Sequence, residues 1–125
     1  MTLDVLPNRL AVCRLAPGAP LADWMSTGAV SSITRTAHEL SVVCDEGAVP
    51  EGVQAETGWR ALALRGPIDF GLTGVLASLL VPLADAKVSI FALSTYDTDL
   101  VLVKERQLAP AVRAIRAAGA VVDED

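Results

Sequence analysis

The stretch Leu93-Ser94-Thr95-Tyr96-Asp97-Thr98-Asp99 constrains this chain most, because a run of strand-forming residues, 88–93, ends at it and another, 100–103, begins from it. The two runs read as strands joined by a polar hairpin. Apolar surroundings of this kind are scaffold, whereas the turn gathers hydroxyls, a phenol and two carboxylates within a few residues. A polar turn held between two rigid elements suits a binding site. On composition alone a solvated hairpin remains the plainer reading.

The rest of the chain supplies further elements. Residues 1–7 read as a lead-in and 10–15 as a first strand, ended by Pro17, Gly18 and Pro20. Residues 21–25 have helical spacing for one or two turns, with Leu21 and Trp24 turned inward. Residues 30–36 and 39–44 read as strands around a tight turn at Ala37 and His38. Residues 45–57 hold Gly47, Pro50 and Gly52 without periodicity and form a loop, the best domain boundary. Residues 59–65 read as a strand closed by Gly66-Pro67, with Asp69 as a helix cap. Residues 72–86 are apolar on nearly every face, as in a helix covered on both sides, with Pro82 kinking it or shortening its hydrogen-bond ladder. Leu108, Ala111, Val112, Ile115 and Ala118 recur at spacings of three and four. That predicts an amphipathic helix starting near Arg106 or Gln107, with Pro110 in its first turn and Gly119 as its cap. Arg106, Arg113 and Arg116 form its solvated face, and residues 120–122 a short last strand.

With 125 residues, 52% of them hydrophobic, the chain can bury a core without staples. A net charge of −5 and the absence of Lys or Arg runs argue against nucleic acid or an anionic membrane surface as partner. Residues 70–84, the longest apolar stretch, fall short of the ~20 that a membrane span needs. Asp4 and Arg9 interrupt any signal-peptide hydrophobic region, so the expected location is cytoplasmic. Cys13 and Cys44 lie in separate apolar runs and read as buried thiols of a reducing compartment; a disulfide is the alternative if both strands share a sheet. One histidine, His38, and no paired ligand spacing leave a zinc site without support, and no cofactor is implied. His38 reads as a turn residue rather than an acid–base group, and Trp24 and Trp59 as core.

The halves share an order of strand, helix, strand, hairpin and strand, with a helix and strand added to the second. Val30-Ser31-Ser32-Ile33 echoes Val88-Ser89-Ile90-Phe91; Thr36 falls where Thr95 does, and residues 39–42 fall where 99–102 do. Duplication of a βαββ(αβ) unit accounts for this. A right-handed strand–helix–strand unit followed by a hairpin and a helix is the ferredoxin-like sandwich. The expected class is therefore α+β, ferredoxin-like, with two βαββ(αβ) units side by side, their antiparallel sheets covering each other's exposed edges. Residues 1–57 would be an incomplete first unit plus linker, and residues 58–125 the second.

Residues 68–77 (Ile-Asp-Phe-Gly-Leu-Thr-Gly-Val-Leu-Ala), Pro82-Leu83-Ala84-Asp85-Ala86 and the hairpin together resemble the ACT domain family, in the tandem branch related to the CASTOR-type cytosolic arginine sensors. The resemblance is good over residues 59–122 and fainter over 10–45. It implies a regulatory module without catalytic machinery that binds an amino acid between two ACT units. It also implies a set of ligand-binding residues. Ser41 and Val42 come from a strand of the first unit, through exposed main-chain groups. Leu72, Thr73 and Gly74 come from a helix start of the second, and Thr95, Tyr96 and Asp99 from its hairpin. Leu72 stands where the arginine sensors have an acidic residue, which opens the expectation to neutral as well as basic amino acids.

Elementary chemistry agrees with that set. Free N–H groups at a helix start attract a carboxylate, and a glycine lets a ligand approach the backbone. Asp99 can pair with an ammonium or guanidinium, and Tyr96 can wall the pocket. Asp99 would be the pocket's only charged side chain, with Asp97 facing water. The alternative from another class is a protein-interaction or dimerisation module with a vestigial pocket, docking to a partner or, as a homodimer, to a second copy. An enzyme comes third, since no triad, metal or phosphate motif is visible.

Overall fold

The computed structural model describes residues 1–68 and 73–124. Its strands are β1 (Thr2–Leu15), β2 (Ser32–Arg35), β3 (Leu40–Asp45), β4 (Gln54–Leu64), β5 (Ile90–Ser94), β6 (Asp99–Lys104) and β7 (Val121–Asp123). The helices are α1 (Val75–Asp85) and α2 (Leu108–Ala117), and single 3-10 turns occupy Asp23–Ser26, Glu46–Ala48 and Glu105–Gln107. The chain divides into a larger unit, Met1–Pro7 with Arg60–Asp125, and a smaller one, Asn8–Trp59. The expected boundary at residues 57/58 falls close to the start of the larger unit's main segment at Arg60. The lead-in Met1–Pro7, however, clusters with the C-terminal part. Its residues are strand: Leu3 and Val5 alternate into the core, and Thr2, Leu3 and Asp4 pair in parallel with Val121, Val122 and Asp123.

The larger unit is ferredoxin-like and α+β. Its strand order is β7–β1–β4–β6–β5, which places the N-terminal strand between the first and last strands of a βαββαβ chain. Residues at alternate positions of each strand share a face, and here Leu62, Leu64, Val101 and Val103 join Leu3 and Val5 against the helices. The helices contribute Leu79 and Leu83 from α1 and Ala111, Val112 and Ile115 from α2. Each of the larger side chains stabilises the unit by about 1.5–3 kcal/mol through burial. The apolar helix is not covered on both sides. Leu79 and Leu83 are buried, whereas Val81 is 58% exposed and Ala77 and Ala84 also face outward. The helix starts at Val75 rather than at Leu72, because Gly74, at φ 75°, turns the chain into it; Pro82 lies within it. The proposed cap Asp69, with Gly71 and Leu72, lies outside the described residues.

The second helix follows the sequence closely. A 3-10 turn over Glu105–Gln107 leads into Leu108, Pro110 occupies the first turn, and Gly119 follows at φ 102°. Ala120 N–H then donates to Ile115 O (3.2 Å) and Gly119 N–H to Arg116 O (3.0 Å), satisfying the helix's last carbonyls. Arg116 is more than solvated: it donates to Val122 O at 2.7 Å and pairs with Glu124 at 3.3 Å.

The smaller unit orders its strands β2–β3–β1, all antiparallel, over a core of Ala11, Cys13, Met25, Leu40, Val42 and Cys44. The helix expected after β1 is one 3-10 turn, too short for a helical layer. Within it Met25 is buried and Trp24 partly so, while Leu21 precedes the turn and is 61% exposed, against expectation. The region expected to be loop over 45–57 holds a 3-10 turn and the start of β4 at Gln54, so that β4 is five residues longer at its N-terminal end than a strand from Trp59. Cys13 and Cys44 are free and buried. Burial, with the neighbouring Cys44, pushes the Cys13 thiol up to about 11. Burial raises Cys44 as well.

Candidate functional site

Ser94 and Asp99 face each other across the β5–β6 pair, leaving a turn of Thr95, Tyr96, Asp97 and Thr98. The turn closes on itself. Thr95 N–H donates to Thr98 O (2.8 Å), and Thr98 N–H donates back to Thr95 Oγ1 (3.1 Å). It is also tied to the chain before α1: Thr98 Oγ1 donates to Leu64 O (2.7 Å) and Ile68 N–H to Asp97 O (2.6 Å). Gly66 has to lack a side chain at this junction, since a Cβ there would lie 2.9 Å from Asp97 O and 3.1 Å from the Thr98 Cβ.

This anchoring sets the hairpin opposite the start of α1 and leaves a cleft of about 270 Å³ between them. It is lined by Ile68, Gly74, Val75 and Leu76 on one side and by residues 94–99 on the other. Four of the residues expected from the sequence meet here, Gly74, Thr95, Tyr96 and Asp99. Their roles differ. Gly74 holds a left-handed conformation and has no side chain to cap the helix, and among the described residues nothing lies within 4 Å of where its Cβ would be. Asp99 is half-buried and accepts from Ser94 Oγ at 2.6 Å, which fixes one carboxylate oxygen and leaves the other for a cation. Tyr96 is 81% exposed, an open wall.

Other expectations are corrected or moved. Thr73 lines a neighbouring cleft of about 370 Å³ with Met1, Leu64, Arg65, Ile68, Gly74, Val75 and Ser78. Leu72 lies outside the described residues. Ser41 and Val42 belong to the smaller unit, and the free main-chain groups expected there are absent. β3 lies between two strands, Ser41 pairing with Arg14 and Thr34, Val42 with Cys13 and Ile33, and the Val42 side chain is fully buried. Asp97 lines the cleft too, so Asp99 is not its only charged side chain. Sequence reasoning missed Ser94 and Ile68. The first could have been found by counting back from Asp99 across a four-residue turn; the second depends on a backbone contact with no sequence signal.

Beside the second cleft, Arg65 grips Asp4 with two hydrogen bonds, at 2.6 and 2.9 Å, and reaches Asp123 at 3.0 Å. The hydrogen bond from Arg65 holds the Asp4 carboxyl below its ordinary value. Among the described residues no cluster of three or more His, Cys, Asp or Glu could hold a metal ion, and no helix is long and apolar enough to cross a membrane.

The larger unit is thus a ferredoxin-like domain in which a helix start and a hairpin border a small cleft. An ACT domain family model matches residues 54–117, just over half of the chain, and the chain belongs to that family. A second family model, for an N-terminal domain, matches residues 8–52, nearly all of the smaller unit. The chain is related to the CASTOR-type sensors. It is 40% identical over 136 aligned positions to the mouse cytosolic arginine sensor for mTORC1 subunit 1, covering 92% of this chain and 41% of that protein. The bovine counterpart is 30% identical over 137 positions, covering 92% and 42%. The chain thus spans about two fifths of the length of these relatives. Among solved structures, a protein from Agrobacterium tumefaciens superposes with a TM-score of 0.94 at 31% identity, over 99% of this chain and 92% of that one. The regulatory subunit of aspartate kinase from Thermus thermophilus shares the fold, with a TM-score of 0.66 at 12% identity, over 94% of this chain and 96% of that one.

Proposed function

We propose that the larger unit is a non-catalytic amino-acid-binding module of a cytoplasmic regulatory protein. The carrying observation is that one cleft holds both ends of a zwitterion's requirements. The start of α1 at Gly74, which has no side chain of its own to cap it, offers main-chain N–H groups to a carboxylate. The Ser94–Asp99 pair offers a positioned carboxylate to an ammonium. Thr95 and Tyr96 flank that carboxylate. The naming of the mammalian relatives as arginine sensors supports an amino acid as the ligand class. The proposal is confined to the larger unit; Ser41 and Val42 are not part of it.

A ligand that binds only the folded state raises apparent stability by about 2.7 kcal/mol at a hundred times its dissociation constant. A thermal-shift screen over the twenty amino acids is therefore expected to give at least one clear rise in melting temperature. Silence from all twenty at millimolar concentration would instead support the interaction or dimerisation module, and sedimentation of the free protein would then show whether the partner is a second copy.

A further inference from the structure

We propose that the second cleft receives the ligand's side chain and that the ligand is an amino acid with a large apolar side chain, leucine, isoleucine or methionine, rather than a basic one. The inference rests on the amino-acid reading of the first cleft and deepens it. The two clefts share Ile68, Gly74 and Val75, so a molecule bound by its backbone at the helix start lies against the wall of the second. Gly74 contributes no side chain to that boundary, and the space a Cβ would take there is open among the described residues. A ligand's Cα substituent can therefore pass over it.

What it meets beyond is apolar. Met1, Leu64, Ile68 and Val75 line the second cleft, and its polar members among the described residues are hydroxyls, Thr73 and Ser78, and one cation, Arg65. The Ser78 hydroxyl is already spent on Val75 O at 2.6 Å. No carboxylate is among the described lining residues, and the nearby Asp4 and Asp123 are engaged by Arg65, so a guanidinium or ammonium entering here would be desolvated without an uncommitted acidic partner among the described residues. An aliphatic side chain loses nothing by entering and gains by leaving water.

The test is calorimetric titration of the full chain with alanine, leucine, isoleucine, methionine, lysine and arginine. Leucine, isoleucine or methionine is expected to bind about tenfold or more tighter than alanine, as the burial of three further heavy atoms implies, and tighter than arginine by at least as much. Ser78→Asp, which puts a carboxylate into the second cleft at the first turn of α1, where acidic residues are well tolerated, is expected to shift the leucine-to-arginine affinity ratio toward arginine by about tenfold. Arginine or lysine binding tightest to the unaltered chain, or leucine no tighter than alanine, overturns this inference while leaving the amino-acid site standing. A leucine-to-arginine ratio that Ser78→Asp leaves unmoved also overturns it. No heat from any of the six, together with a silent twenty-residue screen, removes the site and the inference together.

Discussion

The turn between β2 and β3 and the turn between β5 and β6 are built alike. In one, Thr36 N–H donates to Glu39 O (2.9 Å) and the Thr36 hydroxyl accepts from Glu39 N–H (3.2 Å). In the other, Thr95 N–H donates to Thr98 O and the Thr95 hydroxyl accepts from Thr98 N–H. Thr36 and Thr95 are thus equivalent, as the repeat in the sequence suggests, but the next match is Leu40 with Asp99, not Glu39 with Asp99. The paired residues that flank each turn are Arg35 and Leu40 in one and Ser94 and Asp99 in the other. Leu40 is fully buried in a core, whereas Asp99 lines a cleft and is held by Ser94. Arg35 is spent on the carbonyls of Pro17 and Ala19. One turn chemistry therefore serves two ends: the strand position after the turn decides whether a hairpin closes a core or borders a cleft.

Exchanging that position breaks the comparison most severely. Leu40→Asp would bury a carboxylate among Ala11, Met25 and Val42 without a partner. It is expected to lower stability by about 4 kcal/mol or more, the range of the most damaging single changes. Denaturant unfolding measures it, and a loss under about 1 kcal/mol would mean that Leu40 is not the core residue described. Next comes Gly66→Ala, which presses a methyl on Asp97 O and the Thr98 Cβ. Overpacking of this kind costs about 1–3 kcal/mol. Because it pushes on the hairpin rather than on the core, it should also weaken amino-acid binding, which Leu62→Val, a pure core change, should not.

The comparison also shows what could be read from the sequence. Both hairpins were legible, as was α2 from its three-and-four spacing, Pro110 and Gly119, because each is specified by neighbours a few residues apart. The membership of Met1–Pro7 in the larger unit was not, since it depends on a parallel pairing of Thr2 with Val121 across nearly the whole chain. That Gly74, Thr95, Tyr96 and Asp99 would share one cleft was legible because polar residues at a turn and a glycine at a helix start are local signals. Ser41 and Val42 were misjudged for the converse reason: whether a strand is central or an edge is settled by its partners, and β3 has one on each side. The one-residue slip between Glu39 and Leu40 came from aligning charges where the turn's hydrogen bonds set the register.

A smaller effect on stability distinguishes the units by pH. The folded state holds the Cys13 proton up to about pH 11, whereas an unfolded thiol releases it near 8.5. The unfolded state therefore binds fewer protons between these values, so stability falls as pH rises from about 8.5 toward 11. Cys13→Ala should flatten that decline in denaturant midpoints measured at steps of pH, and native protein should resist thiol alkylation at pH 8 until denatured. Asp4, held low by Arg65 in the larger unit, acts at the other end. Its contribution is present above the ordinary carboxylate range and is lost as pH falls through its depressed value; Asp4→Asn should remove that acid-side component.

The least effect on stability, and the greatest on binding, is expected at Asp99. Its carboxylate is half-buried and accepts from the Ser94 hydroxyl, which an amide oxygen can also accept from. Asp99→Asn should therefore change stability by no more than about 0.5 kcal/mol, as at a surface position. Binding is another matter, because the amide cannot answer an ammonium's charge. Losing one charge-assisted hydrogen bond costs about 1.5–3 kcal/mol, roughly a ten- to 150-fold loss of affinity. Asp97→Asn no longer serves as an indifferent control, since Asp97 lines the same cleft; Asp85→Asn, at the far end of α1, does. Ser94→Ala sharpens the result further: it frees the carboxylate without removing its charge, so it should weaken binding less than Asp99→Asn does. Equal affinity in Asp99→Asn and the parent chain, or unfolding of Asp99→Asn, would make the Ser94–Asp99 pair a strand fastener like its counterpart at Arg35 and Leu40, and the difference between the two hairpins would then carry no function.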